Sequence, residues 1–310
     1  MCSDRPLPTQ TKSALQHRRQ LKAFLLCSCA LVLFGPEKSL ASDITIGSGT
    51  TVTTTQTLTD VGDTGTVESG GTIDVTDQDG LVLGNDDQTA TNNGTITVNK
   101  TTIGTPNFAG IGSDEDNATV HNNGTVTTTG SRAFGIAGDG DDFTVTNSGT
   151  ITVSGEDANP IESNGDDVTI SNSGTLRNTG TISGDHDDVG HGIAVDGDNV
   201  TITNSGEIYS SNGSSIYVDG SDATVTLNNG TILQGVLTFT DPTTATLNYA
   251  AGRTAILTFS GIPGTLTTAG LTSATNGNTI TILNPDDFRL DTVAQTFNTM
   301  TRAVTGSLEQ

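Results

Sequence analysis

The chain has 310 residues carrying 35 acidic and 12 basic side chains, a formal net charge of -23, no Trp and only 32% hydrophobic residues. So lean an apolar content excludes a large globular core. So acidic a balance excludes nucleic acid and anionic lipid as partners, because both require a positive surface.

Residues 1–41 read as a secretory signal peptide. A basic stretch with Lys12, Arg18, Arg19 and Lys22 precedes an apolar run from Ala23 to Phe34, and Ser39-Leu40-Ala41 precedes Ser42. That run is too short to span a bilayer as a permanent helix. Cys2, Cys27 and Cys29 all lie in this leader, so cleavage after Ala41 is expected to leave a chain without disulfides, with 33 acids against 6 bases.

From 42 to 235 the chain repeats. The motif Asn-(Asn/Ser)-Gly-(Thr/Glu)-aliphatic starts at Asn92, Asn122, Asn147, Asn172, Asn204 and Asn228, and the 172-to-204 interval holds a further copy at Asn178-Thr179-Gly180, so the period is about 25 residues. Within a repeat, Phe143 and Val145 alternate with Thr144 and Thr146, and Ile151 and Val153 alternate with Thr150 and Thr152. This is the period-2 signature of half-buried strands. With Asp/Gly and Asn-Ser-Gly turns between them, three short strands per repeat make one coil of a right-handed parallel β-helix. Aligning repeats on the Asn places Leu81, Ile111, Ile136, Ile161 and Ile193 in one column and Ile96, Val126, Ile151, Leu176, Ile208 and Ile232 in another. Stacked core columns are therefore expected about 4.8 Å apart. Weaker relatives at Gly49–Val52 and Ser69–Ile73 bring the rod to roughly eight coils, or on the order of 40 Å.

Residues 236–283 keep alternating β segments but lose the Asn-Gly motif, as a cap over the last coil would. From 284 the period becomes 3.6: Leu290, Val293, Ala294, Phe297, Met300, Val304 and Leu308 share one helical face. Asn284 is placed to cap that helix, Pro285 fits its first turn, and Asp286 and Asp287 suit its dipole. Residues 284–310 thus read as one amphipathic linker helix in an otherwise all-β chain.

An exported leader, a cysteine-free β-helix, a β cap and Leu283-Asn284-Pro285-Asp286-Asp287-Phe288 opening an amphipathic helix together resemble an autotransporter (type V secretion) passenger domain. The resemblance implies an outer-membrane β-barrel translocator as partner in cis, and a place at the cell surface or outside a Gram-negative bacterium. The sequence stops at Gln310, short of the dozen or so membrane strands such a barrel takes. The expectation is therefore a truncated autotransporter, periplasmic where no barrel serves it.

Three candidate chemistries stand beside that reading. Six positions before each motif Asn lies an Asp: Asp86, Asp116, Asp141, Asp166, Asp198 and Asp222. Stacked carboxylates repel one another, and calcium with its oxygen ligands would relieve them; a solvated Asp/Gly turn is the alternative. Asp185-His186-Asp187-Asp188-Val189-Gly190-His191 gathers two histidines and several carboxylates that could hold zinc, although the spacing matches no rigid ligand signature. Polysaccharide cleavage would need two converging carboxylates or a cationic groove, and the coils supply only Lys100, Arg132 and Arg177 as bases, scattered over three repeats. No catalytic residue and no resident cofactor are expected. The function expected is that of a structural or adhesive rod presenting polar faces to host surfaces or polysaccharide.

Overall fold

The computed structural model of the chain describes residues 42–103, 106–183 and 189–288. The expected leader, His186 and the helix expected beyond Phe288 lie outside the described residues. What is described is a parallel β-solenoid of about eight coils of about 25 residues, with almost no helix.

Each coil follows one path. Strands Thr144–Asn147, Thr150–Val153 and Ile161–Ser163 succeed one another round the rod, each bonded in parallel to its equivalent one coil before and after. Three faces result. The first is a ladder of ten strands, from Ile44–Ile46 to Thr265–Thr267. The second and third begin at Thr51–Val52 and Gln56–Leu58. They merge into one sheet because the strand Glu207–Asp219 runs round the corner between them.

The expected alternation is what buries the core. Phe143, Val145, Ile151, Val153 and Ile161 are each 0% exposed, while Thr144, Thr150 and Thr152 look outward with partial exposure. The column Leu81, Ile111, Ile136, Ile161, Ile193 stands in register and continues to Ile216 and Leu237. Each fully buried aliphatic side chain contributes about 1.5–3 kcal/mol, and only the stack supplies its neighbours.

The motif Asn forms a buried ladder on the turn between the first and second faces. Nδ2 of Asn92, Asn122, Asn147 and Asn172 donates in turn to Oδ1 of Asn122, Asn147, Asn172 and Asn204 at 2.7–2.8 Å. The glycine two residues on is required by close approach: a Cβ on Gly149 would lie 2.0 Å from the Gly124 carbonyl oxygen.

Register corrects four sequence expectations. Asn204 pairs with Leu227, so Asn228 lies outside the ladder by one residue. The same slip pairs Ile208 with Leu233 and leaves Ile232 53% exposed rather than in the core column. Asn178 does not open a coil; it ends the strand Thr175–Asn178, stacked between Val153 and Ser210. Its buried amide donates to the carbonyls of Ala158 and His191 at 2.6 and 2.9 Å, tying the corner before the third face. The long 172-to-204 interval is thus one coil with an insertion between Asn178 and Ile193. The fourth correction concerns Asp222 and is taken up with the acidic columns.

Parallel stacking runs past Gly235 through Ile232–Phe239, Thr246–Ala250 and Thr265–Thr267. An antiparallel sheet of Ala255–Thr258, Thr279–Leu283 and Thr272–Asn276 then covers the end of the rod. The 3-10 turn Pro285–Phe288 follows, and Asn284 caps it as expected, its Oδ1 accepting the Asp286 N–H at 3.0 Å.

Candidate functional site

The turn joining the third face to the first carries the acidic residues that the repeat alignment singled out. Asp86, Asp116, Asp141 and Asp166 each accept, through Oδ1, the backbone N–H of the next member of the column, Asp116, Asp141, Asp166 and Asp198, at 2.9–3.2 Å. Each of these carboxylates thus serves, through one of its two oxygens, as a rung between coils. Asp198 breaks the sequence of acids, since it accepts from Ser221 N–H at 2.7 Å and Ser221 Oγ at 2.9 Å. Asp222 therefore does not belong to this column. It stands in the neighbouring left-handed column, with φ near +60° like Asp87, Asn117, Asp142, Asp167 and Asn199, because the last coil is shifted by one residue. Among the described residues no three His, Cys, Asp or Glu side chains are grouped so as to hold a metal ion.

His191 is buried, at 6% exposure. Its ring stacks on Tyr217 with centroids 4.6 Å apart and planes 5° from parallel, and Nδ1 accepts the Ser214 N–H at 2.8 Å. That lone pair serves the fold rather than a metal. His186, its expected partner, lies outside the described residues.

A different place gathers carboxylates into a concavity. On the third face the outward positions of successive coils are Val82, Gly112, Ala137 and Glu162. Two small residues between two larger ones hollow the surface into a groove of about 270 Å³. Asp79, Asp114, Asp139, Asn164, Phe108 and Phe134 are among its lining residues. Phe134 is only 4% exposed, whereas Phe108 is half-buried and carries the Lys100 ammonium 5.6 Å from its ring centroid.

The groove perturbs its acids. Partial burial raises the Asp79 carboxyl above the usual carboxylate range; the Ala109 N–H, donating at 2.7 Å, opposes that, and the Asp114 charge adds to it. Asp139 is raised in the same way, chiefly by desolvation and further by Asp114, against the pull of the Asn164 amide at 2.7 Å. Asp139 stands on the lip, exposed to solvent on one side and walled by protein on the other, which is how an exposed group comes to be partly desolvated. Lys100, by contrast, is held below the usual range by burial and by the Arg132 charge, with Asp77 acting in the opposite sense.

Such a surface offers carboxylate acceptors and an aromatic ring along a rigid, straight face. Repetition drew attention to the Asp column, and repetition is the mark of a rung. The informative signal was the irregular column Val82, Gly112, Ala137, Glu162, visible in the sequence only after the third-face register is assigned.

No curated protein and no solved structure matches the chain. A family model, described as the BigA third pectate lyase-like domain, matches residues 38–236, which take in nearly all of the parallel coils. On that match the chain belongs to the BigA third pectate lyase-like domain family.

Proposed function

We propose that the chain is an exported β-helical rod of the passenger type, displayed at or released from a cell surface, and that it binds polysaccharide along its third face without cleaving it. The observation that carries this reading is the groove between Val82 and Glu162, where Gly112 and Ala137 leave a hollow that Phe108 and the acids Asp79, Asp114 and Asp139 line. Sugar hydroxyls donate to carboxylates, and the apolar face of a pyranose ring packs on an aromatic one. The crowding of negative charge selects against uronates and in favour of neutral or amino sugars. Attack on a glycosidic bond calls for a paired acid and base, whereas both raised carboxyls here are engaged, Asp79 by the Ala109 N–H and Asp139 by Asn164. The leader supports export, and the cysteine-free coils are compatible with crossing a membrane unfolded.

Calorimetric titration with neutral β-glucan, chitosan and oligogalacturonate fragments tests the proposal. Binding of the first or second is expected, weakened roughly three- to tenfold by Phe108→Ala. Equal binding of oligogalacturonate, or release of new reducing ends during incubation, would sink it.

A further inference from the structure

Among the three faces, the first stands apart in what it turns to solvent. Its strands are bonded coil to coil in one continuous register, and alternate residues of each point outward. In the first outward column Thr64 is followed by Thr89, Thr119, Thr144 and then by threonine at every strand as far as Thr265. The second column, from Thr45 to Thr267, is threonine except at His121, Ser171 and Asn248. From Thr64 to Thr265 neither column holds any of the chain's 35 acidic or 12 basic side chains, nor a ring of Phe or Tyr. Strand propensity alone would favour threonine on every face. Yet the second face keeps a threonine pair only over Thr95 and Thr97, Thr125 and Thr127, and Thr150 and Thr152. Asp74 interrupts it one coil before and Arg177 one coil after.

The hydroxyls of this array are left for water. Near its end Thr267 Oγ1 donates to Asn248 Oδ1 at 2.7 Å, and Asn248 Nδ2 donates to Thr226 Oγ1 at 3.4 Å. Among the described residues no other threonine hydroxyl of the two columns bonds to the protein. The side chains are nonetheless held in place. A β-branched residue is stiff at χ1, and the strand ladder fixes the backbone, so hydroxyls and methyl groups recur about 4.8 Å apart along the rod and about 6.6 Å apart across it. Both distances are of the size of the oxygen repeats on a prism plane of hexagonal ice. The buried Asn ladder ends these same strands, and side-chain ladders of that kind keep a stacked sheet flat.

We propose that the first face binds ice, its threonine columns holding a layer of water in an order that merges with the crystal. Each hydroxyl anchors a water molecule, and each methyl group supports the cage between anchors. The array is rigid before water or ice arrives, so little ordering cost falls on binding. A charged side chain would hold its hydration shell in a different geometry. In a chain with a net charge of -23, the clearing of charge from this one face is what selects water over a charged partner. The lack of Phe and Tyr selects against polysaccharide, whose pyranose faces pack on aromatic rings. The site is separate from the groove on the third face and does not depend on it.

Nanolitre osmometry of the full chain, with partition of the protein into slowly grown ice, tests this. Faceted crystals, a freezing point held below the melting point, and enrichment of the protein in ice are expected. Thr144→Tyr raises a ring from the middle of the first column and should weaken adsorption by roughly tenfold, narrowing the gap between the two temperatures. Thr150→Tyr, in the same coil but on the second face, should leave adsorption within roughly twofold of the native value. Both are partly exposed strand positions at which tyrosine suits the strand, and circular dichroism checks that each variant folds. Should Thr144→Tyr fail to fold, Thr201→Lys, at an exposed position of the same column, carries the same expectation. Absence of both the gap and enrichment in ice, or an equal loss from Thr144→Tyr and Thr150→Tyr, would overturn the proposal. Retention on microcrystalline cellulose that Thr144→Tyr abolishes would assign the face to polysaccharide and overturn it equally.

Discussion

Replacing Asn147 by Ala would remove the middle rung of the buried Asn ladder. In the native chain Asn147 accepts from Asn122 Nδ2 and donates to Asn172 Oδ1, both at 2.7 Å, with itself and Asn122 at 0% exposure and Asn172 at 2%. The substitution leaves one buried donor and one buried acceptor without their ladder partner. Each such loss costs about 1–3 kcal/mol, so about 2–6 kcal/mol together. For a domain of this size that corresponds to roughly 4–24 °C in melting temperature. The end of the ladder is a built-in comparison, since Leu227 already stands next after Asn204. Asn204→Leu removes the acceptor for Asn172 but no onward Asn rung, and should cost less than Asn147→Ala. Thermal unfolding followed by circular dichroism, with local hydrogen exchange to allow for coils that open separately, reads both. A loss below about 1 kcal/mol at Asn147, or a larger loss at Asn204, would refute the view that the ladder is a continuous stabilising element.

Gly149→Ala places a Cβ 2.0 Å from the Gly124 carbonyl and should cost roughly 3 kcal/mol or more. Gly252→Ala, with open space around it but φ near +67°, should cost only about 1–2 kcal/mol; urea unfolding separates the two. His191→Ala removes the Tyr217 stack and the acceptor of the Ser214 N–H, a loss of about 2–4 kcal/mol visible as a lower melting temperature. The acids divide by pH. Asp77 is held near a pKa of about 2 by the hydroxyl and N–H of Thr101, then by Thr102. Its folded value is depressed, so its contribution is present above the unfolded carboxylate value near 4 and is lost as pH falls toward 2. Limited proteolysis around Thr101–Thr102 should accelerate across that window, and should already be fast at pH 7 in Asp77→Ala. Asp79 and Asp139 are shifted the other way, so their contribution falls as pH rises from the unfolded value through the raised folded one. Asp79→Asn, which keeps an acceptor for the Ala109 N–H, should raise the melting temperature at pH 7 and leave it unchanged at pH 3.

The sequence by itself determined the coil. Alternation such as Phe143, Val145 and Ile151, Val153 can bury only one side of a strand, and a repeat near 25 residues with Asn-Gly turns offers that side nothing but the next repeat. Fold class, core columns and the cap at Asn284 were therefore legible before any coordinates. Register was not. A strand's side chains reverse with a slip of one residue, and in the last coil that slip, signalled in the sequence only by Val225 and Leu227 standing where earlier repeats have Thr, moved Ile232 out of the core and Asp222 out of the Asp column. The candidate site was hidden for a related reason. Asp86 through Asp198 repeat because they are rungs; Asp114 and Asp139 share a column of their own, continued by Asn164, whereas Asp79 comes from another position of the coil before. Only stacking brings them round the hollow left by Gly112 and Ala137, and only there does the protein wall take water from Asp79 and Asp139. The periodic interactions are local enough to be written in one repeat. The groove belongs to several repeats at once, so the tertiary structure alone decides it.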